Sequence, residues 1–225
     1  MNAVSISPDV PDTRLREAHH RIANNLALIA GFVRLQASKV AKDKQALSAA
    51  EACLLLEEVE VRIQTVGRLH HLLSANAGDG QVDLGEYLRA ACDILSESVC
   101  LNRFVELTCD ARPCTFPPES AALLGLIIAE LVTNAVKYAH PAGVHGRIAV
   151  RCRRTSQDTL ILTVADDGVG LPDGFDARTG GGLGMRVVRS LADQLGAVLD
   201  FDSGPLGLTV SVIAPDPTSG RTHRR

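Results

Sequence analysis

Glu130, Asn134 and Lys137 stand at spacings of four and three, so on a helix their carboxylate, carboxamide and ammonium share one face. Such a stripe suits a polyphosphate and its cation. An amide oxygen such as that of Asn134 is a hard ligand for Mg²⁺, which keeps several waters and shares phosphate oxygens, while Lys137 can meet phosphate directly. Further along, Asp166-Asp167-Gly168-Val169-Gly170 follows the strand-like run Leu160 to Val164. A carboxylate at a strand end can accept a hydrogen bond from an exocyclic amine, and glycines let backbone approach a flat base, which suits adenine. A third cluster, Gly180-Gly181-Gly182-Leu183-Gly184-Met185, opens the helical run Val187 to Leu195. There, backbone N–H groups and the positive helix end can receive phosphate. The stretch of about ten residues before it is expected to form a short mobile lid.

In this order the clusters resemble the asparagine box and the two glycine boxes of the GHKL ATPases, histidine kinases among them, over residues 82–214. The resemblance implies ATP and Mg²⁺, with Glu130 and Asn134 at the metal–phosphate end and Lys137 assisting. It implies that Asp166 reads adenine and that Gly168, Gly170, Gly180, Gly182, Leu183 and Gly184 shape the pocket and lid. Gly181 departs from the pattern, since many relatives carry Thr or Ser there, and no P-loop occurs. The bland alternative makes the glycines turn punctuation and the Glu130 stripe a solvated helix face. Propensity gives no reason for three such clusters in this order.

The first seventy-five residues say what kind of GHKL protein this is. Leu15, Ile22, Leu26, Ile29 and Val33 follow a helical seam; Ser38 to Lys44 interrupt it; Ala52, Leu56, Val59, Ile63, Val66 and Leu73 resume it. Two such helices pack as an antiparallel hairpin with apolar surface to spare. Pairing two hairpins into a four-helix bundle buries that surface, so a homodimer is expected, with docking onto the ATPase domain as the alternative. The first helix also carries His19-His20-Arg21-Ile22-Ala23-Asn24, which resembles the His-Arg-x-x-Asn phosphoacceptor box of bacterial sensor histidine kinases. The chain lacks Trp and has Ala129 where the HWE subgroup has His, so it resembles the sister subgroup; His71 and Ser74 replace residues usually Glu and Tyr.

That resemblance implies His20 as phosphoacceptor with Asn24 beside it, and a response-regulator receiver domain as partner. Helix geometry separates the two histidines independently. At about 100° per residue, His19 lies about 40° from the seam's centre, His20 about 140° away and Asn24 about 180° away, on the open face. Glu17, one turn before His20, is a candidate to take the imidazole proton. His19, His70, His71, His140, His145 and His223 read as packed or solvated residues. Two rivals stay open: a phosphotransfer adaptor without ATP turnover, and a GHKL serine kinase acting on a regulatory protein.

Composition agrees with one ordinary domain and a helical appendage: 225 residues, 46% hydrophobic, net charge −3. No basic tract argues for nucleic acid; only Arg221 to Arg225 is locally positive. Six cysteines without Cys-x-x-Cys spacing read as reduced core residues of a cytoplasmic protein. No apolar stretch is expected to span a bilayer, and the short N-terminus leaves the signal to an upstream sensory partner, a ligand on the catalytic core or the hairpin. The expected fold class is α+β. A disordered 1–11 precedes the helical hairpin 12–75, linker 76–82, a two-layer α/β sandwich over 83–214 and a disordered tail 215–225. Within these, helices are expected near 12–37, 45–75, 83–98, 118–138 and 183–195, with strands at 104–109, 147–153, 160–165, 198–201 and 208–213.

Overall fold

The computed structural model describes residue 33 and residues 48–76, 80–100, 104–140, 144–156 and 158–216. Along the chain run α1 (Ala49–Asn76), β1 (Val82–Asp83), α2 (Leu84–Leu95) and a π-helical turn Ser96–Cys100. There follow β2 (Val105–Ala111), β3 (Thr115–Phe116), α3 (Pro118–Tyr138), β4 (Gly146–Arg154) and β5 (Thr159–Asp166). Then come α4 (Leu183–Gln194), β6 (Val198–Gly204) and β7 (Gly207–Pro215). Apart from Val33, the first expected helix, with His19, His20 and Asn24, lies outside the described residues, as do 77–79 and 217–225.

Period-two alternation explains the sheet. Its order is β2-β4-β5-β7-β6, with β2 parallel to β4 and every other pair antiparallel. The register sets Val150 beside Val164 and Val164 beside Val210, and likewise Cys152, Leu162 and Val212, so buried apolar rows cross one face. Against them lie Leu84, Leu88 and Leu95 of α2, Leu124, Ile127 and Ile128 of α3, and Val188 and Leu191 of α4, all buried. Each such side chain contributes about 1.5–3 kcal/mol by burial. The other face carries Arg151, Arg153, Thr163 and Ser211 and is wetter, which makes the domain two layers.

The helix boundaries have identifiable causes. Ser48 and Glu51 form a capping box, Ser48 N–H donating to Glu51 Oε2 at 2.8 Å and Glu51 N–H to Ser48 Oγ at 3.3 Å. The helix therefore starts at Ala49 rather than at 45, and it runs on through Asn76 into the expected linker. Asp83 caps α2 by accepting from Glu86 N–H at 3.0 Å. That helix ends at Leu95, short of the expected 98, where the Ser98 hydroxyl donates to the Ile94 carbonyl and the chain widens into the π turn. The pair β1 and β3 was not expected; two residues carry too little alternation to read.

α3 begins with Pro118 at its first turn, where a missing N–H costs nothing. By length and composition it is long and apolar enough to cross a membrane, contrary to the expectation that no stretch is; here it is the core helix of the domain. The expected tail boundary also moves. β7 runs through Pro215, and Asp216 is 5% exposed, its N–H donating to Asp158 O at 2.9 Å and its carboxylate pairing with Arg154.

The chain divides into two compact units, residues 1–63 and 64–225, with α1 running through the division. In the first, Leu54 and Leu56 are 62% and 65% exposed. In the second, Val66, Leu69 and Leu73 are buried, continuing the three/four spacing.

Candidate functional site

α3 is the wall on which the three clusters meet. Glu130 is only 5% exposed, whereas Asn134 and Lys137, one and two turns on, are half-buried along the same face. The far side of the helix holds Leu124, Ile128 and Val132 in the core, and Ile127 and Leu131 beside the stripe are buried as well. The helix therefore cannot rotate its polar stripe away without exposing that core.

At the C-terminal end of α3 the second cluster docks. Val169 N–H donates to Ala139 O at 2.9 Å, and a Cβ on Gly168 would collide with that same carbonyl. Only a glycine lets the strand end pass so close to the helix end. Asp166 ends β5 with Oδ1 accepting from Gly168 N–H at 3.0 Å and Leu208 N–H at 3.3 Å. Its Oδ2 takes no hydrogen bond among the described residues and is left to meet a ligand donor. Burial pushes the Asp166 carboxyl above its ordinary range, against the pull of the two backbone donors.

Asp167 points elsewhere. It accepts from Arg147 N–H at 2.7 Å and meets His140 Nε2 at 2.7 Å. Burial opposes its ionisation, but the Arg147 N–H and the His140 ring outweigh it and hold the carboxyl below its ordinary range. His140 is thus a clamp between the end of α3 and the start of the second cluster, in keeping with its reading as a packed residue.

The third cluster reaches the other end of the stripe. Gly182 is the N-cap of α4, with extended backbone and no side-chain cap, so the first-turn N–H groups of the helix are open to an anion. In that first turn, a Cβ on Gly184 would stand 2.5 Å from Glu130 Oε2 and 3.2 Å from Asn134 Oδ1. Two hard oxygens converge there. A small cation that takes one or two protein oxygens and completes its shell with water and phosphate fits such a cradle, so the residues suit Mg²⁺.

The segment between the second and third clusters is held by contacts that side-chain types do not announce. Asp176 accepts from Arg178 N–H at 2.9 Å and Thr179 Oγ1 at 2.7 Å, and its carbonyl from Gly180 N–H at 2.7 Å. Arg189 of α4 then donates to Ala177 O at 3.0 Å and Gly180 O at 2.8 Å. These residues, with Ala139 and Leu208, were missed by sequence reasoning because nearly every one of these bonds has a backbone group at one end at least. Gly207 was missed too: with φ +125 it lets the β6–β7 turn pass the Asp166 carbonyl, and a Cβ would collide there.

The structure thus brings Glu130, Asn134 and Gly184 together and sets Asp166 and Gly168 at the far end of the same helix. Lys137 lies in the last turn of α3, Gly170 at φ +70 beside Gly204, Gly180 under Arg189, and Leu183 at the opening of α4. His20 and Asn24 lie outside the described residues. Among the described residues no group of three or more His, Cys, Asp and Glu side chains could hold a metal, which leaves the Glu130–Asn134 pair.

The larger unit is of one recognised class: residues 119–218 match the histidine kinase-, DNA gyrase B- and HSP90-like ATPases. Residues 17–99 match a family described as histidine kinase. The chain belongs to the histidine kinases, with a GHKL-type ATPase fold. It is 33% identical over 213 residues to the sensor histidine kinase PdtaS of Mycobacterium tuberculosis, covering 93% of this chain and 41% of that protein. It is 31% identical over 207 residues to blue-light-activated histidine kinase 2 of Erythrobacter litoralis, covering 91% of this chain and 57% of that protein. The chain therefore spans about half the length of these relatives. The histidine kinase domain of Erythrobacter litoralis EL346 blue-light activated histidine kinase superposes with TM-score 0.62 at 26% identity, over 82% of this chain and 94% of that one.

Proposed function

We propose that this chain autophosphorylates His20 from ATP and passes the phosphoryl group to an aspartate of a response-regulator receiver domain. The observation that carries this reading is the meeting of Glu130 and Asn134 with Gly184, on the helix whose other end receives Gly168 beside Asp166. One helix thereby offers a phosphate end and a base end, as a nucleoside triphosphate requires.

In this reading Asp166 Oδ2 accepts from the adenine amine, the open N–H groups of α4 and Lys137 receive phosphate oxygens, and Glu130 and Asn134 would hold Mg²⁺. When bound, that ion supplies charge neutralisation on the phosphates. An imidazole nitrogen of His20 attacks the γ-phosphorus, the bond to the β,γ-bridging oxygen breaks, and ADP leaves. The imidazole proton passes to a nearby base, for which Glu17 is the candidate. Positioning and charge stabilisation supply most of the acceleration in such a transfer. Asn24, one turn on from His20 on the expected helix, would orient the ring or the transferred group.

A homodimer through the helical hairpin, residues 12–75, belongs to the same proposal. Leu54 and Leu56 support it, since they leave apolar surface exposed on α1 that pairing would cover. An upstream sensory partner belongs to it as well. The cytoplasmic setting draws support from the cysteines, all six of which are free.

The test is incubation of the full chain with γ-labelled ATP. Acid-labile, base-stable label on the chain is the expected result. No label, with acceptance from another phosphorylated donor, would mark an adaptor instead; acid-stable label on a partner protein would mark a serine kinase.

A further inference from the structure

β5 leaves the sheet after Asp166, which stands opposite Ile148 of β4. The next residue, Asp167, continues the ladder by one step. In a regular antiparallel pair two such residues exchange both N–H···O bonds. Here the Asp167 N–H donates to the Arg147 carbonyl at 3.2 Å, but the Arg147 N–H donates to Asp167 Oδ1 at 2.7 Å. The side chain takes the place of its own carbonyl, and the backbone can turn from β4 toward the end of α3. The same oxygen is held from the helix side, where His140 Nε2 lies 2.7 Å from it. An ionised carboxylate only accepts, so Nε2 is the donor. The His140 side chain is 9% exposed, and its Nδ1 is buried with no hydrogen-bond partner among the described residues. A Cβ on Gly146 would stand 2.3 Å from the ring's Cε1, so the imidazole has little room to move.

We propose that His140 and Asp167 are positioning residues for nucleotide recognition, fixing the end of β5 so that Asp166 Oδ2 is aimed at the exocyclic amine of adenine. The proposal rests on the adenine reading of Asp166. Neither His140 nor Asp167 touches the base in it.

The path from these residues to Asp166 is short. Ala139 O takes the Val169 N–H, and its neighbour His140 takes Asp167, so the end of α3 grips the chain on both sides of Gly168. Gly168 N–H is in turn one of the two donors that orient the Asp166 carboxylate, the other being Leu208 N–H. Without the His140 bond only the Val169 bond ties this turn to the helix end, and the Gly168 N–H can swing, taking Asp166 Oδ1 with it. A carboxylate rotated off its donor offers Oδ2 at the wrong angle, and hydrogen bonds weaken steeply with angle. A merely structural role for His140 predicts something else: every nucleotide would lose affinity together.

The experiment is calorimetry of the full chain with ADP and with inosine diphosphate, in which a carbonyl replaces the exocyclic amine. The unsubstituted chain should prefer ADP. His140→Leu, which fills the site without a donor, and Asp167→Ala should each lower ADP affinity about tenfold, the scale of one misdirected charged hydrogen bond, and leave inosine diphosphate nearly unchanged. His140→Gln, whose Nε2 can donate to Asp167, and Asp167→Asn, whose Oδ1 can accept both bonds, should restore most of the ADP preference. His140→Leu and His140→Gln differ in the donor and little in volume, so folding does not decide the comparison. A preference for ADP that His140→Leu retains, equal loss of both nucleotides, or no recovery in His140→Gln would overturn the proposal and leave the adenine reading standing. No preference for ADP in the unsubstituted chain would remove the adenine reading itself, and this proposal with it.

Discussion

Gly184 and Glu130 face each other so closely that a single methyl group on the glycine would stand 2.5 Å from Glu130 Oε2. The contact joins the glycine-rich helix start to the polar stripe of α3. In Gly184→Ala the carboxylate, being the far end of a flexible side chain, shifts and takes the cation cradle with it. Crowding costs about 1–3 kcal/mol, offset by up to about 1 kcal/mol of helix propensity, so the fold survives. Calorimetry with ADP should show the Mg²⁺-dependent part of the affinity falling more than the part seen in EDTA. Equal loss of both would remove the cradle from the account.

Asp166→Asn separates stability from recognition. Burial raises the Asp166 carboxyl, so its ionised form is disfavoured in the folded chain. The contribution it makes to stability is complete below the ordinary carboxylate range and is lost as pH rises through the raised value. Asparagine keeps an Oδ1 for the Gly168 and Leu208 N–H groups and carries no charge to bury. The variant should therefore unfold at higher denaturant than the parent near neutral pH, with the gap closing at acid pH. Its Nδ2 would face the adenine amine donor to donor. A hydrogen bond to a charged acceptor contributes about 1.5–3 kcal/mol, so nucleotide affinity should fall on the order of ten- to a hundredfold. Unchanged ADP affinity would contradict the adenine assignment.

Arg189 is a positioning residue: it touches neither base nor phosphate in this account but ties the Ala177 and Gly180 carbonyls to α4. Arg189→Ala should raise KM for ATP about tenfold through the loss of roughly 1–2 kcal/mol of charged hydrogen bonds. Limited proteolysis should then cut between residues 171 and 182. Arg189→Lys, which can keep one of the two bonds, should recover part of both effects. A drop in kcat alone, without new cleavage, would assign Arg189 a different role.

Much of this arrangement was legible where side-chain pattern carries the information. The apolar face of α3 and its Pro118 start gave Pro118–Tyr138 with both ends correct, and the alternating runs located all five strands of the main sheet within about two residues at each end, except β6, which runs three residues further. Asp83 was expected to open a helix, and it does so as the N-cap. What was not legible acts through backbone. Ala139 and Leu208 contribute a carbonyl and an N–H, which every residue possesses, and Arg189 reaches carbonyls at positions no spacing rule singles out.

The phosphoacceptor decides the account. Full-length chain, His20→Ala and His19→Ala are incubated with γ-labelled ATP and Mg²⁺, ADP binding is checked by calorimetry, and acid-labile label is counted. The account predicts that His20→Ala keeps its fold and ADP affinity yet carries no phosphohistidine, while His19→Ala remains labelled with some loss of stability. Label that persists in His20→Ala and vanishes in His19→Ala would contradict both the helical phase and the match of the acceptor box.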